Sequence, residues 1–518
     1  MASRWWVLAA TLLSVCGRAQ SLQTYDGPPP QLRDRSPFGF GKGVTGGGTP
    51  TSNSTYLVDN MIDLRTVLKI ETPRTVYVKG NIYGNQLPGN MTGNCQYYID
   101  NSTVPKFNFT KYIQAQNTSY MAEVKAAASA GVPFEGQNAT DLLSVLNRQN
   151  GWRGTAQNVQ KSWESIDARG NLTLIGFDAT ASLIGVSLIF NTRSNVIIRN
   201  LSHSPPRDCF PAPESYPRTW NARYDAVSLV TTNLVWLDGN SYFDSPTGPV
   251  APDPLIWGWE VDRYDGLVDV EDGSDNITFS HNVVANHHKS LLWGGGEKEG
   301  PRDIGKMRFT VFGNHFHNSL SRNPLMRFGT FYVVGNLFEN RADQPPQWGN
   351  ASVVPRQYRE LVSSEIKRRE EGEAYVPDFQ YNLGIYNLSS VLVSSNAFRQ
   401  TGLYPSDTTR IFAFSNLATP DTPARFCSPD DSKYTGILNG LAGSGNDFND
   451  RRINLTQNVE QSFKFYVDNG KSNTVAGGLR VECDRFPRQE MPVSFTGGKG
   501  EVESYVREHA GASGGMVV

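Results

Sequence analysis

The sequence of 518 residues lacks the features of membrane and nucleic-acid-binding proteins. No apolar run beyond the N-terminus is long enough to span a bilayer, which excludes membrane-spanning helices. Lys and Arg (48) nearly balance Asp and Glu (50), so the net charge of −2 argues against nucleic acid and anionic membranes as partners. Charged residues are only 19%, whereas glycines number 49. This composition favours a turn-dense, strand-rich, all-β protein.

Cysteine is also scarce, with five in the chain. The N-terminus has a basic residue, Arg4, then the apolar run 5–15 and small residues before Ala19. This pattern predicts a signal peptide at 1–19 and therefore a secreted, extracellular protein. We expect the rest of the chain, 20–518, to form one domain and to be monomeric. Cys16 leaves with the signal, and the remaining even number predicts two disulfides. Of the three possible pairings we favour those between neighbours in sequence, Cys95–Cys209 and Cys427–Cys483.

Acceptor sequences for N-glycosylation are frequent, which predicts a glycoprotein. They begin at Asn53, Asn90, Asn101, Asn108, Asn117, Asn138, Asn171, Asn200, Asn276, Asn350, Asn387 and Asn454. Those that fall within strands are the least suited to carry a glycan.

One sequence pattern repeats through the middle of the chain: a short run of β-branched residues that ends at a polar turn residue, often Asn. The terminal residues of these runs are Asn200, Asp238, Asn282, Asn314, Asn336 and Asn396. The two closest, Asn314 and Asn336, lie 22 residues apart. One strand in each repeat of about 20 to 25 residues predicts a solenoid whose stacked Asn side chains form a hydrogen-bonded ladder. The alternative is a β-sandwich with long loops, but Asn-Gly and Asp-Gly hairpin links are scarce.

Four stretches depart from the repeat. Residues 56–70 are typical of an amphipathic helix that caps an open coil end, and 119–163 predict a helical insertion with helices at 121–130 and 139–148. Residues 356–372, dense in Arg and Glu, predict a solvated inserted helix. The tail 420–518 has few strand signals, apart from 461–467, and we expect it to pack along the outside of the coil.

Candidate functional residues lie between Asp225 and Arg327. Asp225, Asp265 and Asp269, if brought together, need a cation, and oxygen ligands select calcium or magnesium. Taken alone, Asp265 and Asp269 are as readily surface carboxylates.

Lys289, Arg322 and Arg327 supply cations nearby, and two guanidinium groups so close in sequence suit a shared anion. Hydrolases usually rely on paired carboxylates or a positioned His, so an excess of cations beside a metal site favours lyase chemistry on a polyanion. A competing hypothesis is a zinc site, formed by the pairs His287-His288 and His315/His317.

From Thr173 to Asn336 the chain resembles the pectate lyases, calcium-dependent polysaccharide lyases with a parallel β-helix. The likeness is carried by Asp225-Ala-Val, Asp265-Gly-Leu-Val-Asp269, His287-His-Lys289 and Arg322-Asn-Pro-Leu-Met-Arg327-Phe-Gly. One departure is Trp236-Leu-Asp238-Gly239, where the family usually has His after the Asp. The resemblance implies a right-handed, single-stranded parallel β-helix with a capping helix and long inserted loops.

It also implies calcium held by Asp225, Asp265 and Asp269, and a polygalacturonate or pectin substrate. Arg322 would remove the C5 proton, Lys289 would contact the uronate carboxylate, and Arg327 would complete the catalytic group. The neighbouring cations are expected to lower the pKa of Arg322, and the pH optimum to be alkaline.

Other readings remain open. A pectin lyase would act on methyl-esterified substrate without calcium and would lack the carboxylate cluster. A non-catalytic glycan-binding β-helix would not need Lys289 and both arginines. A polygalacturonase on the same fold would need carboxylates as acid and base where Arg322 stands.

Overall fold

Three parallel sheets form the body of the protein. The computed structural model describes residues 22–215, 219–245, 256, 261–343, 379–415, 439–468, 479–481 and 489–512. In the repeating part of this range the chain contributes one strand to each sheet in turn and then climbs to the next coil. The strands within a sheet are parallel, apart from one pair at the end of the second sheet. The architecture is a parallel β-helix, as the repeat predicts.

The first sheet contains the β-branched runs found in the sequence. Its strands are Thr55–Val58, Arg74–Val78, Leu172–Gly176, Ser194–Arg199, Asn233–Asp238, Asp275–Ser280, Arg308–Phe312, Thr330–Val334, Ser390–Ser394, Asn439–Ala442 and Leu479–Val481.

The second sheet follows at the Asn turns. Its strands are Asn81–Tyr83, Ser182–Ile184, Ser202–Ser204, Ser241–Phe243, Val283–His287, His315–Ser319, Leu337–Ala342, Ala397–Gly402, Asp447–Phe448 and Arg451–Arg452. The last two are antiparallel.

The third sheet completes each coil. Its strands are Ser165–Asp167, Ser187–Asn191, Val227–Val230, Val268–Glu271, Leu292–Trp293, Leu325–Met326, Leu383–Tyr386 and Phe412–Ser415. Two small antiparallel pairs lie outside the coil, Gln86–Leu87 with Met91–Thr92 and Ala212–Ser215 with Thr219–Asn221.

Identical side chains stack inside the coil because the strands pair in register. Phe316, Phe338 and Phe398 stack with successive ring centroids 4.8 Å apart, which is the spacing of adjacent strands. Each is buried, so truncating one to Ala would cost about 3–5 kcal/mol.

A ladder of buried Asn side chains fixes the turn between the first and second sheets. Its members are Asn240, Asn282, Asn314, Asn336, Asn396 and Asn446. Each Asn Nδ2 donates to the Oδ1 of the next member at 2.9–3.1 Å, and that same Oδ1 accepts from the backbone N–H of the preceding member. The predicted ladder is confirmed for Asn282, Asn314, Asn336 and Asn396, but Asn240 takes the place expected for Asp238. Leu201 stands at the level expected for Asn200: its N–H donates to Asn240 Oδ1, whereas Asn200 donates to the Gly176 carbonyl.

The predicted N-terminal helix is shorter than expected. Residues Thr55–Val58 form a strand, and the helix is Met61–Leu68, started by Asn60, whose side chain accepts from the Asp63 N–H. Its apolar face belongs to the main core of the coil. The error at 56–58 arises because this strand buries its first and last residues, and the same spacing of buried residues is found in a helical turn.

The helical insertion is confirmed and is longer than predicted. Its helices are Cys95–Asp100, Phe109–Gln116, Thr118–Ala130 and Ala139–Glu164, the last continuing well beyond residue 148. Asn108, Asn117 and Asn138 cap three of them with their side chains. A Cys95–Cys209 disulfide ties the insertion to the coil and confirms that pairing.

In the tail, the strand signal at 461–467 is wrong, since Leu455–Asp468 is a helix. Leu455, Val459 and Ser462 are buried at helical spacing, which outweighs the local strand propensity. The later helix Glu501–His509 buries Val502 and Val506 against the outside of the second sheet.

Short helical turns occur at Gly39–Gly43, Pro88–Asn90, Glu297–Glu299, Gly300–Asp303 and Thr408–Arg410. Residues 356–372, Cys427 and Cys483 lie outside the described residues. Among the helices that are described, none combines the length and apolarity needed to cross a bilayer.

Candidate active site

The register of the third sheet aligns the candidate residues. Ser228 pairs with Asp269 on the adjacent strand, and Leu292 likewise pairs with Leu325 on the adjacent strand. The positions three residues before these are Asp225, Gly266, Lys289 and Arg322. Backbone bonds at this level, from Ala226 N to Gly266 O and from Leu291 N to Arg322 O, continue the alignment. Residues spread over about 100 positions therefore form one row at the entry edge of the sheet.

The three aspartates surround Gly266. Asp225 accepts from the Gly266 N–H at 2.9 Å and from the Ser228 hydroxyl at 2.7 Å. A Cβ on Gly266 would lie 2.3 Å from Oδ1 of Asp269, so a side chain there would displace that carboxylate. Asp269 also accepts from the Leu292 N–H at 3.0 Å. Asp265 precedes Gly266 directly and lies 3.6 Å from the Lys289 ammonium.

Burial raises the pKa of all three carboxyl groups, and the charges of neighbouring aspartates add to the effect. Burial, and then the charge of Asp265, raises the pKa of Asp225 to about 7. Burial also raises the pKa of Asp265, and burial with the charges of Asp225 and Asp265 raises the pKa of Asp269 well above its usual value. The cluster is therefore costly to ionise unless a cation compensates it.

Lys289 is held by three acceptors. Its ammonium lies 2.9 Å from Asp262 and 3.6 Å from Asp265, and it also donates to the side-chain oxygen of Asn221. Burial alone lowers the pKa of Lys289, but the two carboxylates outweigh it, so the pKa is raised and the group is a fixed cation.

Sequence reasoning missed Asp262. Burial alone raises its pKa, but the His288 hydrogen bond and the Lys289 charge outweigh it and bring the pKa well below its usual value. The available signal was its position three residues before Asp265, which by itself does not distinguish it from a surface carboxylate.

The histidines do not form the alternative zinc site. His287 Nδ1 lies 2.6 Å from Asp244, and its Nε2 lies 3.1 Å from the Lys289 carbonyl oxygen. His288 is placed between Asp262 at 3.2 Å and the side chain of Gln380 at 3.2 Å. His315 and His317 lie instead with Glu339 on the second sheet. The two histidine pairs therefore lie in different parts of the molecule and cannot bind one ion together.

Arg322 differs from the other cations of the site. Its guanidinium is half-buried, and within the described part of the chain it makes no hydrogen bond or ion pair. Burial alone lowers the pKa of Arg322, but Tyr381, Asp269 and Asp265 outweigh it and raise the pKa. The expectation of a lowered pKa is wrong for this state, because the nearby carboxylates dominate over Lys289 and Arg327.

Arg327 meets a different set of groups. It follows the strand Leu325–Met326, donates to Glu297 at 3.0 Å and to the Gly294 carbonyl at 2.7 Å, and stacks 4.9 Å over the Tyr386 ring. No contact joins it to the three aspartates among the described residues. The structure thus brings Arg322, Lys289 and the aspartates together and places Arg327 at the other end of the strand.

The local charge suits a divalent cation. Within the described residues, Asp225, Asp262, Asp265 and Asp269 face two permanent cations, Lys289 and Arg322, so negative charge exceeds positive by two once all four carboxyl groups are ionised. The oxygen-only donor set of Asp225, Asp265 and Asp269 is typical of calcium sites. Calcium accepts such ligands with long bonds and flexible coordination.

Comparison with known proteins gives one consistent family. The family model described as pectate lyase matches residues 151–437. A pectate lyase of Bacillus subtilis is 27% identical over 307 residues, covering 58% of this chain and 67% of that relative. Pectate lyase E of Dickeya dadantii is 30% identical over 259 residues, covering 50% and 56%. The matches therefore span between half and two thirds of these relatives.

Solved structures of pectate lyases share the architecture. A thermostable pectate lyase covers 92% of this chain and 97% of its own, with a TM-score of 0.66 and 23% identity. A pectate lyase bound to a hexasaccharide gives a TM-score of 0.65 at 22% identity, with the same coverage. At this identity the likeness establishes the fold, a right-handed parallel β-helix.

Proposed function

Because this chain belongs to the pectate lyase family, we propose that it is a polysaccharide lyase that cleaves polygalacturonate by calcium-assisted β-elimination. The observation that carries the proposal is the Arg322 guanidinium, which has no protein partner within the described residues beside a cluster of buried carboxylates. A half-buried cation without a protein partner suits an anionic substrate. The hexasaccharide bound by a related pectate lyase supports a polysaccharide substrate.

Asp225, Asp265 and Asp269 would hold the calcium ion. When bound, calcium would neutralise a uronate carboxylate and make the neighbouring C5 hydrogen more acidic. The three residues fit this role because their raised pKa values show that uncompensated negative charge is unfavourable there. Gly266 keeps the space in which these carboxylates meet.

Arg322 would remove the C5 proton. The electron pair of the C5–H bond then forms the C4–C5 double bond, and the C4–O4 bond breaks with its electrons on the leaving oxygen. This oxygen is protonated by solvent, so the products are a 4,5-unsaturated uronate and a new chain end. Because Asp269 and Asp265 hold the pKa of Arg322 up, base action requires compensation of their charge.

Lys289 and Arg327 would have different roles. Lys289 is fixed by Asp262, Asp265 and Asn221, so it would stabilise the substrate carboxylate mainly through its charge. Arg327 is oriented by Glu297 and Tyr386 at the far end of the strand, a position suited to a neighbouring uronate.

The carboxylate cluster favours this reading over a pectin lyase. A methyl-esterified substrate is neutral and gives no reason to bury Asp225, Asp265 and Asp269 together. We also propose that the protein is secreted and acts as a monomer. The Cys95–Cys209 disulfide supports an oxidising compartment.

The test follows the ultraviolet absorbance of the conjugated unsaturated uronate product on polygalacturonate, with calcium or with a chelator. Absorbance should rise with calcium and stop on chelation. The Arg322→Ala variant should lose this activity yet retain calcium binding, while Asp167→Asn, at an exposed position, serves as the matched control. Absence of any new absorbance would refute the lyase, and activity unchanged by the chelator would refute the calcium role.

A further inference from the structure

A second group of metal-binding side chains lies on the outer face of the second sheet, apart from the candidate active site. His315 and His317 are two residues apart on the strand His315–Ser319, so both point away from Phe316, which is in the core. Glu339 is paired in register with His317 on the next coil. One ligand atom from each of His315, His317 and Glu339 lies within 4.8 Å of the others.

The distances are close to those of a coordinated ion. Oε2 of Glu339 lies 2.6 Å from Nε2 of His315 and 4.0 Å from Nδ1 of His317. Ligand atoms of a tetrahedral zinc ion are about 3.3–3.5 Å apart, given bonds of about 2.0–2.2 Å. Each distance differs from this spacing by less than about 1 Å, so zinc binding would need a small shift of the Glu339 carboxylate and would replace its hydrogen bond to His315.

His317 carries an unsatisfied nitrogen in this group. Its Nδ1 is removed from solvent and has no hydrogen-bond partner, although it faces Glu339 at 4.0 Å. Buried polar atoms are nearly always paired, so an orphaned imidazole nitrogen aimed at a carboxylate calls for an explanation. A metal ion between the two groups would satisfy both.

The surroundings organise the carboxylate. The other oxygen of Glu339 is bonded by Arg507 from the helix Glu501–His509, and Arg507 also pairs with Glu503 at 3.1 Å. This second contact orients Glu339 in the way that groups behind a metal ligand usually do. The His317 side chain is 37% exposed, which leaves a path to solvent.

We propose that His315, His317 and Glu339 bind a transition-metal ion, with zinc the best match to two imidazoles and one carboxylate. Nitrogen ligands distinguish this site from the all-oxygen cluster of Asp225, Asp265 and Asp269, which suits calcium. The bound ion would join two coils beneath the C-terminal helix and would act as a structural clamp.

Zinc titration by calorimetry on the full chain, stripped of metals and then kept in excess calcium, tests the site. We expect one equivalent of zinc to bind and to raise the Tm. His317→Ala and the isosteric Glu339→Gln should each weaken zinc binding by at least about 100-fold. His509→Ala removes another half-exposed histidine, the last residue of the helix Glu501–His509, and should bind zinc as the wild type does. Cobalt should show the visible absorption of nitrogen coordination in the wild type and in His509→Ala.

Two results would overturn the proposal. One is a wild-type protein that binds no zinc in excess calcium. The other is a folded His317→Ala or Glu339→Gln variant with wild-type zinc affinity. Because both variants are assayed by binding, their result is independent of whether the chain cleaves polygalacturonate.

Discussion

Replacing Asp225 by Asn should stabilise the calcium-free protein while weakening calcium binding. The Asn oxygen can still accept from the Gly266 N–H, and its Nδ2 can donate to the Ser228 hydroxyl, which then accepts instead of donating. Both polar contacts are kept while the charge is removed. Burial and Asp265 raise the pKa of Asp225 from 3.8 to about 7. A shift of about 3 units corresponds to about 4 kcal/mol of destabilisation once the group is ionised in the folded state.

The sign follows from the raised pKa of a carboxyl group. The folded state prefers protonated Asp225, so stability is highest below about pH 4 and is lost as the pH rises through about 7. In a chelator at about pH 8, Asp225→Asn should melt about 4 °C above the wild type, since a chain of about 500 residues has an unfolding entropy near 1 kcal/mol/K. At about pH 4 the difference should disappear.

Differential scanning calorimetry with and without calcium provides the measurement. Calcium should raise the Tm of the wild type strongly and that of Asp225→Asn weakly, with an affinity lower by at least about 100-fold. Asp167→Asn, about half exposed and paired with Arg169 and Arg193, should behave as the wild type. If calcium-free Asp225→Asn is no more stable than the wild type at about pH 8, the charge argument is wrong.

The remaining predictions concern the base, the ladder and glycosylation. Arg322→Lys should lower kcat by about 10²–10⁴-fold. Wild-type activity should rise into the alkaline range because a guanidinium must lose its proton before it can act as a base, so an optimum near about pH 5 would contradict this role. Asn314→Ala removes four side-chain hydrogen bonds from a buried ladder position and should lower the free energy of unfolding by about 4 kcal/mol, measured by thermal unfolding. Asn233→Ala, at an exposed position, should lower it by less than about 0.5 kcal/mol. Equal losses in the two variants would contradict the importance of the ladder. Asn200 is buried and donates to Gly176, so peptide mapping should find it without a glycan; an occupied Asn200 would contradict its placement.

The fold was largely predictable because each repeat has a sequence pattern that lies within a few consecutive residues. A β-branched run ending in Asn can be recognised without knowing its neighbours, and the ladder at Asn282, Asn314, Asn336 and Asn396 follows it. The error at 461–467 has the opposite cause. There the burial of Leu455 and Val459 against the coil selects a helix, and that contact is tertiary.

The candidate site residues could be predicted where a charged residue stands beside a short apolar strand. Asp225, Asp265, Asp269, Lys289 and Arg322 are charged residues among short apolar strands, and the register aligns them as a group.

Other partners could not be predicted from local sequence. Asp262 reaches Lys289 because its backbone N–H donates to the carbonyl of Trp220, 42 residues earlier in the small antiparallel pair outside the coil. The raised pKa of Arg322 likewise depends on distances that no local pattern encodes.

The Asn ladder has a consequence for how such a chain can change over generations. Its successive members are separated by 42, 32, 22, 60 and 50 residues, yet each occupies the same place in its coil. Insertions and deletions can therefore accumulate at the outer turns without shifting the strands that follow. The outer turns are therefore free to vary in length, and substrate preference with them, while the row from Asp225 to Arg322 keeps its alignment.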